Sequence, residues 1–310
     1  MPRVLGLGNA LMDSIIPLAD DSLLKEWELV KGAMQVVDLD TLLAMHQAAS
    51  AEEILRSVGG SACNAIRGIA HLGLQTGFIG KIGNDETGKR VLEALQAAKV
   101  NPQLHYSRAR TGEVLALVSQ DTERTMATFL GASGTLNASD IAEDDFVGYD
   151  HLHLEGYTVP NHALFHRALS LARTCHLTVS LDLTSYDIVD MNRELLGRMI
   201  PEYIDILFAN EGELRAFTGR DIEAGMEELA QLCDVVVVKL GIKGALARKG
   251  NAVSCSPSIP VCCVDSTGSG DMFAAGFLYG YLQDWTLDDS LAFANKMAAE
   301  VIQVYGTGLS

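Results

Sequence analysis

The sequence is poor in the features that mark nucleic-acid-binding, membrane and secreted proteins. Its 310 residues carry 23 Lys and Arg against 40 Asp and Glu, a formal net charge of −17. Phosphate-rich surfaces repel so acidic a protein. No apolar run approaches the roughly 18 residues of a membrane span, and the N-terminus has neither the apolar stretch nor the small-residue cleavage site of a secretory signal. We therefore expect a cytoplasmic protein without nucleic-acid or membrane partners.

Cysteine is present in six copies, but none forms a CxxC pair or has a histidine at zinc spacing. Neither a zinc finger nor a disulfide framework is therefore expected. We interpret the cysteines as small apolar residues in a reducing compartment. The adjacent Cys262 and Cys263 are predicted to lie on opposite faces of a strand.

Short β-rich runs alternate with longer amphipathic stretches through the centre and the C-terminal part of the chain. The run Val235–Val238 is apolar on both faces, which is typical of a strand covered by helices on both sides. This βαβα order predicts an α/β fold, a doubly wound and mainly parallel sheet. The candidate strands are residues 4–8, 151–154, 178–182, 204–209 and 234–240, and the candidate helices are residues 61–72, 85–98, 162–175, 211–218 and 222–232.

Two regions depart from this alternation, residues 14–57 and residues 101–131. The second contains two alternating runs, 114–119 and 125–130, and both regions resemble pieces of a flat antiparallel sheet. We expect them to meet in space as a small β lid that grows out of a single domain spanning residues 1–310.

A glycine-rich string, Asp265–Asp271, precedes the apolar run 272–282, which predicts a buried helix. Gly268 and Gly270 permit tight backbone geometry, and the helix start would aim unpaired N–H groups and a positive dipole end at the same point. Such a cradle stabilises a transferring phosphoryl group, and the Asp271 carboxylate beside it could accept a proton from a hydroxyl. The alternative is an ordinary strand-to-helix turn with an Asp cap.

Two other glycine patterns do not fit the nucleotide sites that they suggest. Gly83–Lys89 satisfies GxxxxGK, but Arg90 stands where a P-loop needs Ser or Thr for Mg²⁺. Gly6 and Gly8 begin a dinucleotide fingerprint in which Leu11 occupies the third glycine position, which disfavours an oxidoreductase.

The string Asp265–Asp271 resembles the C-terminal signature of the PfkB (ribokinase-like) family of sugar and nucleoside kinases, with Ser266 where Thr is common. The resemblance implies a ribokinase-like fold and makes Asp271 the catalytic base. It also implies an anion hole formed by three backbone amides, those of Gly268, Ser269 and Gly270.

The same resemblance gives Asp265 and Thr267 the task of ordering the loop. In some family members this neighbourhood holds a monovalent cation, so Asp265 is a candidate ligand for K⁺. ATP and Mg²⁺ are the implied cofactors.

A second motif, Gly59-Gly60-x-x-x-Asn64, opens a helical run. Paired glycines leave bare backbone for a substrate, and an Asn side chain offers both a donor and an acceptor. The motif resembles the family element that binds substrate hydroxyls.

Two carboxylates match further substrate positions of the family. The spacing of Asp13 from Asn9 resembles the adenosine-kinase branch, in which such an Asp contacts two sugar hydroxyls through charge-assisted bonds. Glu155 ends the run HLHLE at another substrate-side position. For either residue, the alternative is an exposed acidic loop position.

Three elements resemble the nucleotide side of the family's site. Asn210 and Glu213 match the N-x-x-E motif, which organises Mg²⁺ and phosphates through water; an Asn helix cap with acidic first-turn residues is the alternative. Lys239 begins a turn that passes over the nucleotide, with the lysine near a phosphate. The glycines of that turn are Gly241 and Gly244. Asn295 matches a position that borders adenine, although a helix-surface position fits the sequence as well.

These motifs together predict a kinase that transfers the γ-phosphoryl group of ATP to a primary hydroxyl of a sugar or nucleoside. The opening GNALMD and the string GGSACN resemble the adenosine-kinase-like bacterial members. Ribose, a fructose-type sugar and adenosine all remain open as acceptors. An adenosine kinase in particular, or a sugar- or nucleotide-binding sensor without activity, is the alternative, and lids of this kind can pair two subunits in a homodimer.

Overall fold

The computed structural model describes residues 1–48, 54–121 and 123–306, so residues 49–53 of the first predicted lid region and residue 122 of the second lie outside it. Its strands are β1 (Arg3–Leu7), β2 (Leu11–Pro17), β3 (Met34–Val36), β4 (Leu55–Gly59), β5 (Gln75–Gly83), β6 (Val100–Ser107), β7 (Gly112–Val118), β8 (Arg124–Phe129), β9 (His151–Glu155), β10 (Thr178–Asp182), β11 (Ile206–Asn210), β12 (Val235–Lys239), β13 (Ala245–Lys249) and β14 (Ala252–Ser256). Its helices are α1 (Ser22–Glu26), α2 (Leu39–Ala48), α3 (Ser61–His71), α4 (Glu86–Ala97), α5 (His162–Thr174), α6 (Tyr186–Met191), α7 (Arg193–Tyr203), α8 (Glu211–Thr218), α9 (Ile222–Leu229), α10 (Ser269–Tyr281) and α11 (Leu287–Val301). None of these helices is long and apolar enough to cross a membrane.

A nine-stranded sheet in the order β14-β13-β12-β11-β10-β9-β1-β5-β6 forms the centre of the fold. Its strands are parallel from β12 through to β6. At the other edge, β13 pairs antiparallel with β12 and β14 pairs antiparallel with β13. The prediction of a doubly wound, mainly parallel α/β fold is confirmed.

Successive side chains of β12 point to opposite faces of the sheet, and helices cover both faces. Val236 and Val238 face one core, which is filled from α5, α7, α8 and α9, whereas Val235 and Val237 face a second core under α3, α4, α10 and α11. All four valines are fully buried. Strands buried on both faces need an unbroken apolar run, and the sequence VVVV supplies it.

The lid is a separate five-stranded sheet in the order β3-β8-β7-β2-β4, with α1 and α2 packed on its outer face. The lid sheet is mixed rather than antiparallel throughout. The pairs β2–β4 and β7–β8 are antiparallel, as expected, whereas β2–β7 and β3–β8 are parallel. The boundaries also differ. Residues 100–107 form β6, which follows the α4 crossover and extends the main sheet beside β5, and the lid instead gains residues 11–13 from the start of β2.

The prediction that Cys262 and Cys263 lie in a strand is wrong. Both lie in the irregular segment between β14 and α10. Pro257 and Pro260 occur in the same segment, and a residue without an N–H group interrupts the hydrogen-bond ladder of a sheet.

Helices α3 and α10 pack closely enough to require glycine at their crossing. A Cβ atom on Gly68 of α3 would lie 2.8 Å from Cβ of Ala275 and 3.0 Å from Sδ of Met272. This crossing fixes the distance between the two helix starts, which meet at the site described below.

We predict opposite effects on stability for two helix glycines replaced by alanine. Gly68→Ala should lower the free energy of unfolding by about 1–3 kcal/mol through overpacking. Gly197→Ala, at an exposed position of α7 with no atom within 4 Å of the added methyl, should raise it by about 0.5–1 kcal/mol. Urea unfolding measures both. Equal effects of the two substitutions would contradict the close packing of α3 on α10.

Candidate active site

A cavity of about 810 Å³ lies between the lid sheet and the carboxyl edge of the main sheet. It is the place where ligands bind in doubly wound folds. Gly59 and Asp265 do not line it. The other predicted site residues do: Asn9, Asp13, Gly60, Asn64, Glu155, Asn210, Glu213, Lys239, Gly241, Gly244, Thr267, Gly268, Ser269, Gly270, Asp271 and Asn295.

Helix α10 begins with unpaired amides at the cavity. Gly268 caps it in the left-handed region, with φ 72°, which a side chain would disfavour. The Ser269 N–H donates to the Ser266 carbonyl at 3.2 Å and is therefore engaged inside the turn. Among the described residues, the amides of Gly268, Gly270 and Asp271 have no acceptor. The amides available to an anion therefore differ from the predicted set in one member, with Asp271 in place of Ser269.

The Asp271 carboxylate is held on both oxygens by the first turn of α3. Ser61 Oγ donates to Oδ1 at 2.7 Å, and Asn64 Nδ2 donates to Oδ2 at 2.9 Å. Burial raises the pKa of Asp271 above its ordinary value, and these two donors oppose the rise. Hydrogen bonds to a charged group contribute about 1.5–3 kcal/mol each, which offsets much of the desolvation. Ser61 was not among the predicted site residues, and its only signal in the sequence is its position between the paired glycines and Asn64.

The start of α3 is fixed by Glu155. This fully buried carboxylate accepts from Asn9 N at 2.8 Å, from the Asn9 side chain and from Ala62 N at 2.7 Å. Burial raises its pKa to about 7 despite these donors. With its oxygens engaged by protein groups, Glu155 joins the segment after β1 to the start of α3 rather than offering a vacant carboxylate.

Asp13, on strand β2, is the contrasting carboxylate. It is only 7% exposed, faces the cavity, and has no hydrogen-bond donor among the described residues. Burial raises its pKa to about 7, and the Arg124 guanidinium on β8 opposes the rise. Gly59 leaves the space that Asp13 needs, because a Cβ there would lie 2.0 Å from Oδ1. The site therefore holds an acceptor group that lacks a donor, as hydroxyl binding requires.

Opposite Asp13, the ends of neighbouring strands bring charges to the other side of the cavity. Lys239 Nζ, at the end of β12, contacts Asp182 Oδ2 at 2.6 Å and lies 3.5 Å from the point where a Cβ on Gly270 would be. Burial opposes the positive charge, but the carboxylates of Asp182 and Glu213 outweigh it and raise the pKa of Lys239. The ammonium is thus charged beside the α10 amides. Asp182 received no role from the sequence, because it belongs to no recognised motif.

Asn210 and Glu213 form a reciprocal helix cap. The Asn210 side chain accepts from Glu213 N at 2.8 Å, and the Glu213 oxygens accept from Asn210 N at 2.8 Å and from Asn210 Nδ2 at 2.7 Å. Burial raises the pKa of Glu213 to about 7. The pair therefore fits Mg²⁺ only through water, and the described residues contain no group of three or more His, Cys, Asp or Glu able to hold a metal.

The remaining predicted residues shape the walls of the cavity. Asn295 is buried, not on the helix surface, and its amide donates to the carbonyls of Ser256 and Pro257, both at 3.1 Å. Gly244 adopts φ 97°, and a Cβ there would lie 2.0 Å from Ser256 O. Gly241 also has positive φ, at 58°.

Asp265 orders the glycine-rich loop. It is fully buried and accepts from Thr267 N at 2.9 Å, from Thr267 Oγ1 and from Gly306 N at 2.9 Å. Oδ1 accepts both bonds from Thr267 and Oδ2 accepts one bond, from Gly306 N. These contacts order the loop, and the role of Asp265 as a K⁺ ligand stays a prediction.

We predict that Asp13→Asn stabilises the ligand-free protein in a pH-dependent way. Between its ordinary pKa of 3.8 and its folded value of about 7, Asp13 binds more protons in the folded than in the unfolded state. Wild-type stability therefore falls as the pH rises through this interval. The variant buries no charge, so its advantage in free energy of unfolding should grow from pH 5 to pH 8 by at most about 3 kcal/mol.

Urea unfolding at both pH values measures this difference, and Asp288→Asn, at an exposed position in the first turn of α11, is the matched control. A difference that does not change with pH would show that Asp13 is not held in a desolvated site.

Comparisons with known proteins give the same picture. A family model described as "pfkB family carbohydrate kinase" matches residues 33–310. An uncharacterized sugar kinase of Archaeoglobus fulgidus is 29% identical over 253 residues, which cover 77% of this chain and 96% of that protein. An ATP-dependent ribose-1-phosphate kinase of Halopiger xanaduensis is 29% identical over 252 residues, covering 79% of this chain and 80% of that protein.

Among solved structures, the adenosine kinase of Sinorhizobium meliloti superposes with a TM-score of 0.92 at 28% identity, covering 99% of this chain and 95% of that one. A probable sugar kinase of Rhizobium etli superposes with a TM-score of 0.93 at 29% identity, covering 99% and 94%.

Proposed function

The chain belongs to the pfkB family of carbohydrate kinases, and from this premise we propose how its cavity transfers the γ-phosphoryl group of ATP to a primary hydroxyl of a sugar or nucleoside. The observation that carries the proposal is the position of Asp271. Its carboxylate lies at the start of α10, beside amides without acceptors, and is oriented by Ser61 and Asn64.

The two sides of the cavity divide the work between acceptor and nucleotide. Asp13 and Asn64 receive the acceptor hydroxyls, and the segment from Lys239 to Gly244 covers the nucleotide phosphates. Asp271, between the two sides, accepts the proton of the attacking hydroxyl. The amides of Gly268, Gly270 and Asp271 stabilise the charge on the transferring group, since preorganised donors are worth most where charge develops.

Mg²⁺ would be held by the phosphates of ATP and, through water, by Asn210 and Glu213. When bound, it neutralises phosphate charge. A monovalent cation at Asp265 stays a prediction; the Asp265 carboxylate orders the loop through Thr267 and Gly306.

The apolar lining on the lid side of the cavity favours a nucleoside as the acceptor. A nucleoside kinase is therefore a second, more specific candidate function. The lid contributes apolar side chains there, among them Leu11, Met34, Val114 and Met126. A free sugar has no apolar face of that size to cover them, whereas a nucleoside base does. The likeness to the adenosine kinase of Sinorhizobium meliloti supports this candidate. Because the chain also resembles sugar kinases, sugars must be tested as acceptors as well.

A sensor without activity would not need the carboxylate or the amide cradle, and both are in place. A cytoplasmic location and pairing of two subunits through the lid stay predictions.

We predict that Asp271→Asn lowers kcat by about 10²–10⁴-fold, the usual contribution of a general base, without loss of folded structure. Product formation from radiolabelled ATP should be measured with ribose, fructose, adenosine, ribose 1-phosphate and 5-dehydro-2-deoxygluconate. Asp288→Asn, also in the first turn of a helix but outside the cavity, is the control and should match the wild type. Near-normal turnover of Asp271→Asn with any phosphorylated acceptor would remove Asp271 from the role of base.

A further inference from the structure

The base of the proposed reaction already accepts a hydrogen bond from an alcohol of the protein. Ser61 Oγ donates to Asp271 Oδ1 at 2.7 Å. A base that deprotonates an acceptor alcohol must receive the same kind of bond, O–H to carboxylate oxygen, at a similar distance. Ser61 therefore has the chemistry and the position of a competitor for the acceptor hydroxyl.

Asn64, the other partner of the base, does not compete in this way. Its Nδ2 donates to Asp271 Oδ2 at 2.9 Å, while its Oδ1 is buried and has no hydrogen-bond partner within the described part of the chain. After a local shift that uncovers Oδ1, Asn64 can accept a bond from an incoming hydroxyl and keep its Nδ2 bond to Asp271. Ser61 has only one proton to donate, so its bond is the one that yields.

The position of Ser61 is fixed by its neighbours in the chain. The next amide, Ala62 N, donates to Glu155 at 2.7 Å. The preceding Gly60 adopts φ 99°, and a Cβ there would lie 2.0 Å from the Asn9 carbonyl oxygen. With the backbone held on both sides, the hydroxyl can leave Asp271 only by rotation of its side chain.

Water and the acceptor differ in what they gain by replacing Ser61. Water is a single small donor, so it exchanges one hydrogen bond for another. A sugar or nucleoside brings several hydroxyls, which also bind Asp13 and Asn64 Oδ1, and this additional binding can displace the serine. In a kinase, water activated by the base attacks the γ-phosphorus, the bond from that phosphorus to the β–γ bridging oxygen breaks, and ADP and phosphate result.

We propose that the Ser61 hydroxyl occupies the acceptor's hydrogen-bonding position on Asp271 and thereby suppresses transfer of the phosphoryl group to water until an acceptor with several hydroxyls displaces it. This inference rests on the proposed function, because it takes Asp271 as the base.

The test requires only the full chain, ATP and Mg²⁺, with release of inorganic phosphate as the readout and no acceptor present. Ser61→Ala should hydrolyse ATP about tenfold faster than the wild type, because a bond to the carboxylate no longer opposes the entry of water. Ser61→Thr keeps the hydroxyl and should behave like the wild type. Ser22→Ala, at the exposed first position of α1, is the matched control. Ser61→Gly provides a second removal of the hydroxyl if the alanine variant does not fold.

The double variant Ser61→Ala with Asp271→Asn should lose the added hydrolysis. Faster ATP hydrolysis by Ser61→Ala that depends on Asp271 cannot be explained by general damage to the site. Hydrolysis by Ser61→Ala and Ser61→Gly at or below the wild-type rate would overturn the proposal, as would a gain that survives in the double variant. If the proposed function itself is wrong, the results are different. The wild type then phosphorylates no acceptor, or Asp271→Asn retains full phosphoryl transfer.

Discussion

The hydrogen bonds from Ser61 and Asn64 to Asp271 connect the starts of two helices that belong to distant parts of the chain. In the proposed function, helix α3 carries residues on the acceptor side and helix α10 carries the amides that stabilise the phosphoryl group. Close packing at Gly68 sets the distance between them. Because one carboxylate joins both starts, the attacking hydroxyl, the base and the transferring group can meet at a single point. Such alignment supplies much of the advantage of an enzyme in phosphoryl transfer.

Asp13 and Glu155 are both buried carboxylates with pKa values raised to about 7, but they differ in their hydrogen-bond partners. Glu155 accepts from two backbone N–H groups and one side-chain amide and fixes the start of α3. Asp13 has no donor among the described residues and is exposed only to the cavity. A buried carboxylate without donors is destabilising, so its retention at this position is consistent with a ligand that supplies the donors. In the proposed function, the stability that the fold gives up at Asp13 is recovered when the acceptor's hydroxyls bind to this carboxylate.

The parts of the fold and site that could be predicted from sequence are those encoded in short, local patterns. The valine run of β12 specifies a strand covered on both faces, and the glycine string before α10 specifies a tight turn into a buried helix, with Gly268 in the left-handed region. Ser61 and Asp182 could not be found in this way, because their roles depend on contacts with residues far away in the chain. The boundaries of the lid and the direction of its strand pairs could not be predicted for a related reason. Residues 100–107 alternate like a lid strand, but the α4 crossover places them beside β5, and pairing direction is a property of topology rather than of local pattern.

The stereochemical course at phosphorus tests the role of Asp271 most directly. ATP made chiral at its γ-phosphorus with oxygen isotopes would be used with whichever acceptor the protein phosphorylates, and the configuration of the product would be determined by NMR. Direct in-line transfer, with Asp271 accepting only a proton, predicts inversion of configuration. Retention would require the phosphoryl group to rest first on a group of the protein, such as Asp271 itself, and would contradict the assignment of this carboxylate as a base.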